Sequence, residues 1–145
     1  MMTYKELTAI VQVVSVAVVT WWGAAQVAGD PELMQSAPAA AAMLVTAIGI
    51  SIAFNIVVMI VGSIVVSIAQ RAEMKDERAD ERDRAITTRA MRNGYLVMSV
   101  AALAGLLLLA FGNVPTVTAT YALFGAAMLG GAADAVSRLV YYRIG

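Results

Sequence analysis

Apolar residues in this chain come in long uninterrupted runs, and the polar residues are gathered between them. The runs extend from about Leu7 to Ala28, from Ala39 to Ala69 with neither a charge nor a proline, from about Tyr95 to Phe111, and from about Thr118 to Val136. A hydrocarbon core of ~30 Å is crossed by about 20 helical residues, so each run predicts a membrane-spanning helix. Together they predict an all-α integral membrane protein, an antiparallel four-helix bundle forming a single domain over residues 1–145. The second run is longer than a span needs, and its helix must tilt or project from the bilayer.

The connections carry their own signals. Gly29 to Pro38 holds two prolines and the carboxylates of Asp30 and Glu32 without a base, which reads as a short loop, with Asp30 placed to cap a helix ahead of Pro31. Gly112-Asn113-Val114-Pro115 reads as a tight turn. The first run also resembles a secretory signal, with small residues Gly23, Ala24 and Ala25 before Gln26, and cleavage there would leave three spans in the same orientation. Trp21 and Trp22 near its far end, and a lone Lys5 beside Glu6 before it, suit a retained span.

Between the second and third runs lies the segment from Gln70 to Tyr95, which holds seven of the ten Lys/Arg and six of the ten Asp/Glu residues. These bases, with Lys5, Arg138 and Arg143, fall on one side of the predicted topology and none on the other. By the positive-inside rule that side is cytoplasmic, with both termini, in a bacterial inner membrane. Spans two and three run in opposite directions, so the helix must break, and a break is expected near Met74 to Asp80. Asp76 or Asp80 would cap the new helix, the latter with Asp83 three residues on. Ile86, Ala90 and Met91 would lay a thin apolar edge on the membrane surface, and Asn93-Gly94 would form a pivot into the third span.

Within the segment, Asp76-Glu77-Arg78-Ala79 is followed by Asp80-Glu81-Arg82-Asp83. On one helix this stacks like charges four residues apart, against a few compensating pairs such as Asp80 with Arg84, Arg78 with Glu81 and Glu81 with Arg84. One reading is a solvated elbow whose charges are screened by salt. The other is a surface held ready for a partner, through Asp76, Glu77, Arg78, Asp80, Glu81, Arg82, Asp83, Arg84, Arg89 and Arg92. A basic protein surface, a second copy or a divalent cation would fit, although the interleaved arginines weigh against a metal.

Composition narrows the function classes. The chain is 61% hydrophobic and 14% charged, too apolar to cover a water-facing surface. It contains no cysteine and no histidine, which excludes disulfides, thiolate nucleophiles, histidine-ligated haem and the common zinc sites, and no cofactor is expected. No basic tail marks it for nucleic acid. Two positions inside the spans are polar enough to matter. Asn55 needs a hydrogen-bonding partner on another helix. Asp134, with Arg138 at i+4, is either an anchor neutralised by its neighbour or part of a proton or cation relay. Ala122, Ala126 and Gly130 continue the strip that leads to Asp134, and Ala101 with Gly105 form a similar one in the third span; both allow close helix approach.

No nucleophile with a base and no phosphate-cradling loop is present. Arg89-Ala90-Met91-Arg92-Asn93 is similar to the RAxxN element of the MAPEG family of glutathione-dependent enzymes, but the acidic, tyrosine and proline positions that accompany that element are missing, and no enzyme activity is expected. A fuller likeness joins two stretches: Asp80-Glu81-Arg82-Asp83-Arg84-Ala85-Ile86 with Arg89, Arg92, Gly94 and Tyr95, and the ending Ser137-Arg138-Leu139-Val140-Tyr141-Tyr142-Arg143-Ile144-Gly145. Together they resemble a DUF2178-like group of small four-helix bacterial membrane proteins with a DERDxxIxxRAxRxGY element and an LVxYRxG ending. That resemblance implies the four-helix architecture and no assigned activity. The expected function is that of an interaction or regulatory component acting through its charged cytoplasmic segment, with the lipid bilayer, a membrane or cytosolic protein or a second copy as partners. The alternative is a homo-oligomeric transporter of a small solute or ion using Asp134 and Asn55.

Overall fold

The structure, a computed structural model, describes residues 4–70 and 80–144. Four helices account for nearly all of it: α1, Tyr4–Gly29; α2, Ala37–Gln70; α3, Glu81–Phe111; and α4, Val117–Ile144. Each is long and apolar enough to cross a membrane, so the chain is a multi-pass helical membrane protein.

Local chemistry sets the helix ends. Asp30 accepts the Glu32 N–H at 3.0 Å and caps the short 3-10 turn Pro31–Met34, as its place before Pro31 predicts. Ser36 accepts the Ala39 N–H at 3.3 Å at the start of α2. Pro38 lies in the first turn of that helix, where its missing N–H costs no hydrogen bond. At the start of α3, Asp80 accepts the Asp83 N–H at 2.7 Å while the Asp83 carboxylate accepts the Asp80 N–H at 3.2 Å. This reciprocal pair satisfies two otherwise orphaned donors. After Phe111 the chain turns within a few residues, with Asn113 at φ 48, a left-handed conformation that asparagine tolerates better than most side chains.

α1 lies between α2 and α4, and α3 packs along α4. The contacts fix an antiparallel arrangement. Leu7 at the start of α1 faces Gly62 late in α2, and Lys5 of α1, Asp83 of α3 and Tyr142 of α4 meet at one end. At the other end the Tyr121 hydroxyl donates to the Leu33 carbonyl at 2.7 Å. The buried positions are mainly small residues or single stripes: Leu7, Val11, Ser15 and Val19 on α1, Ala40, Leu44 and Ala47 on α2, and Ala126, Gly130 and Ala135 on α4. The large side chains face outward, among them Ile52, Ile56, Ile60 and Ile64 of α2 and Leu103, Leu106 and Leu107 of α3. That is the pattern of a bundle solvated by lipid, where close backbone approach replaces a hydrophobic core.

Two expectations need correction. Asn93-Gly94 is not a pivot, because α3 runs unbroken from Glu81 to Phe111. Its 31 residues give about 46 Å of helix at 1.5 Å per residue, so the charged turns project from the span as its rigid continuation. Ile86 and Ala90 do not lie on the membrane surface; both are buried in the bundle, while Met91 is exposed. The ending from Ser137 to Ile144 is the last part of α4. The break between α2 and α3, with the Asp76 cap and the partner candidates Glu77 and Arg78, lies outside the described residues, and Asp80 is the cap that the structure places.

Candidate functional site

The charged end of the bundle is organised around Asp83. Its backbone position is fixed by the capping box, and its carboxylate then bonds across the bundle. Lys5 of α1 donates to one oxygen and the Tyr142 hydroxyl of α4 donates to the other at 3.2 Å. One side chain thus ties three helices together. The hydrogen bond from Lys5, reinforced by the Asp80 N–H and by the lysine's charge, holds the Asp83 carboxyl below the usual carboxylate range. The same bond raises Lys5 above the usual lysine range. Tyr142 is also pushed up, first by burial and then by the neighbouring carboxylate.

Nearly three turns further along α3, the Asn93 side-chain amide donates to the Ser137 hydroxyl at 3.1 Å and to the Tyr141 hydroxyl at 3.0 Å. Below it α3 and α4 nearly touch: a Cβ on Gly94 would stand 2.7 Å from the Gly130 carbonyl oxygen and 3.0 Å from the Asp134 Cβ. Asp134 itself is held by Arg138 in a two-pronged pair, Nη2 to Oδ2 at 2.9 Å and Nε to Oδ1 at 3.2 Å. The i+4 pairing expected from the sequence is therefore formed. The two stretches behind the family resemblance, far apart in the chain, meet in space through Asp83 with Tyr142 and through Asn93 with Ser137 and Tyr141.

The opposite face of the same turns is open. Asp80, Glu81, Arg82, Arg84, Arg89 and Arg92 are all exposed. Among the described residues no ion pair joins Asp80 or Glu81 to Arg84, so the local compensation expected within α3 is not what occupies these charges. Asp83 departs from the group, since it points inward. Among the described residues no cluster of three or more carboxylates could hold a metal ion.

Asn55 does what an amide in a span must do. Its Nδ2 donates to the Ser15 hydroxyl of α1 at 2.7 Å and to the Ser51 carbonyl at 2.8 Å, with the two serine hydroxyls 3.1 Å apart. At the end away from the charges, α1, α4 and the first turns of α2 enclose a half-open, almost wholly apolar cavity of about 690 Å³. Neither Asn55 nor Asp134 lines it.

Sequence reading passed over Lys5 as a partner, and also Ser15, Asn93, Ser137, Tyr141 and Tyr142. The available signal was depth: Ser15 and Asn55 sit at matching levels of neighbouring antiparallel spans, and Ser137 and Tyr141 share a helix face at i+4. Neither the models of known protein families, nor curated proteins, nor solved structures match the chain.

Proposed function

We propose that the protein is an interaction or regulatory component of a bacterial inner membrane, with its charged end and both termini in the cytoplasm. The observation that carries this reading is the division of labour on the first turns of α3. One face spends Asp83, Asn93 and Gly94 on fastening α3 to α1 and α4. The other presents Glu81, Arg82, Arg84, Arg89 and Arg92 to the outside on a rigid helix. A pre-positioned charged surface lowers the ordering cost of binding and gives specificity by charge complementarity. The position of Lys5, Arg82, Arg84, Arg89, Arg92, Arg138 and Arg143 toward one end supports the orientation. The reading accords with the DUF2178-like resemblance, whose defining residues form this same end.

The test is cross-linking in native membranes followed by identification of what is joined to α3. A partner captured by the wild type is lost when Arg82, Arg84, Arg89 and Arg92 are reversed to glutamate together. Thermal stability stays unchanged, because among the described residues none of the four side chains has a hydrogen bond or ion pair to lose. Protease accessibility of both ends checks that the orientation, which these arginines help to set, is kept. Capture that survives the reversal sinks the reading. The transport alternative has less support, because Asn55 and Asp134 are each satisfied within the chain and lie apart from the cavity.

A further inference from the structure

We propose that the cavity between α1, α4 and the start of α2 is a binding site for the acyl chains of a membrane lipid, independent of any partner at the charged end. Its walls have almost nothing polar to offer. The Tyr121 hydroxyl is committed to the Leu33 carbonyl and the Thr20 hydroxyl to the Val16 carbonyl, each at 2.7 Å. Thr118 adds one further hydroxyl, and the remaining lining is mainly aliphatic, with Phe124 and the pliable methionines Met34, Met43 and Met128. Water needs two or more polar partners to occupy such a space, and a polar solute needs at least as many. Only an apolar guest fits the chemistry.

Shape and depth identify that guest. The lining runs from Val16 to Ala28 on α1 and from Val117 to Ala132 on α4, which at 1.5 Å per residue is about 18 and 23 Å of helix. One leaflet of a ~30 Å hydrocarbon core is about 15 Å deep. The site therefore spans roughly one leaflet, the one away from the charged end, and its open side faces acyl chains. The length of the site matches an acyl chain that reaches from the headgroups to the bilayer midplane. Two glycines keep the space open: a Cβ on Gly23 or on Gly125, both in the lining, would meet nothing within 4 Å. Neither is required for helix approach, unlike Gly94 and Gly130.

The experiment uses the full chain in vesicles of phosphatidylethanolamine and phosphatidylglycerol carrying a trace of phospholipid with a photoactivatable diazirine in its acyl chain. After irradiation, adducts are mapped by peptide mass spectrometry. Adducts on the walls, at Val19, Phe124 and Met128, are expected to exceed several-fold those at the outward-facing Leu103 and Leu106 of α3, because a resident chain dwells longer than bulk lipid. Gly125→Leu, and separately Gly23→Leu, fill the space and bring wall labelling down to the α3 level while the α3 adducts stay constant as the measure of correct insertion. Even labelling of walls and α3 in the wild type overturns the site. So does wall labelling undiminished by both filling variants, or its replacement by cross-links between copies at the same walls.

Discussion

Helices α3 and α4 meet backbone to backbone, whereas α1 and α2 are held by side chains. Along the first pair, Gly94 abuts the Gly130 carbonyl and a Cβ on Gly105 would stand 3.0 Å from that of Ala122. Along the second, Ser15, Ser51 and Asn55 supply hydrogen bonds and the nearest thing to Gly62 is the flexible Leu7 side chain, at 3.4 Å. In lipid no hydrophobic force drives two apolar helices together, so packing and polar bonding are the remaining means. Between α1 and α2 this chain relies on polar bonds within the span, whereas between α3 and α4 the polar bonds of Asp83, Asn93, Ser137, Tyr141 and Tyr142 gather toward the charged end and close backbone contact carries the span. Close backbone contact builds a rigid hairpin that can carry a charged extension beyond the membrane. Polar stitching at one level leaves the rest of the α1 side loosely filled, and the apolar cavity lies on that side.

The sharpest break in the tight pair comes from adding one methyl. Gly94→Ala places a Cβ against backbone and against Asp134, neither of which can swing aside, and overpacking of this kind costs about 1–3 kcal/mol. Better helix propensity returns up to about 1 kcal/mol, so a net loss is expected, larger for Gly94→Leu. Gly130→Ala meets the Met98 Cβ at 2.8 Å and acts in the same direction. Reversible unfolding in mixed micelles measures both; stability equal to wild type in each would mean that the backbones are not in contact.

The stitched pair should yield less. Asn55→Leu removes the bond to Ser15, and such interhelical bonds average about 0.6 kcal/mol with a maximum near 1.7. Ser15→Ala costs less again, since Asn55 keeps the Ser51 carbonyl. The same unfolding assay ranks them, and an Asn55→Leu loss exceeding that of Gly94→Ala would invert the picture.

How far each pair could be read from sequence follows the same division. Asn55 declared itself because an amide in a span has few ways to be satisfied, and Asp134 because Arg138 follows at i+4. Asp80 with Asp83 was visible as a cap for the same reason: the signal is local. Lys5 with Asp83 was not, since 78 residues separate them and nothing in either neighbourhood names the other. Gly94 was misread as a pivot, because a glycine that permits a bend and one that permits contact look alike until the opposing helix is known. Ile86 and Ala90 followed it into error: taking them as a surface edge assumed that the helix had already turned. Asp76, Glu77 and Arg78 lie outside the described residues.

At the charged end the expected effect is smaller and depends on pH. Lys5 and Asp83 are partly exposed, so removing the pair by Asp83→Asn is expected to cost roughly 1 kcal/mol or less. Asp83 is depressed, so its contribution is complete above the ordinary carboxylate value of about 4 and fades as pH falls below it. Lys5 is raised, so its contribution is complete below about 10.4 and fades as pH rises past that value. The wild type should thus lose stability relative to Asp83→Asn at both extremes and hold its advantage across the neutral range. A pH-independent difference would separate the pair from its titration.

The last substitution is the most telling, because it repeats the first with the opposite sign. A Cβ on Gly49 of α2 would meet nothing within 4 Å, and the residue is exposed on a helix whose outward side faces lipid. Gly49→Ala therefore adds no clash and keeps only the propensity term, a gain of up to about 1 kcal/mol. Gly62→Ala lies between the two cases, since its Cβ reaches a leucine terminus that can shift. The ordering of stability is then Gly49→Ala above Gly62→Ala above Gly94→Ala, read from one denaturant series on the three variants. A uniform gain at all three would mean that glycine serves only as a helix weakener throughout the chain. A uniform loss would mean that the outer face of α2 is itself packed, and the contrast between the two helix pairs would then disappear.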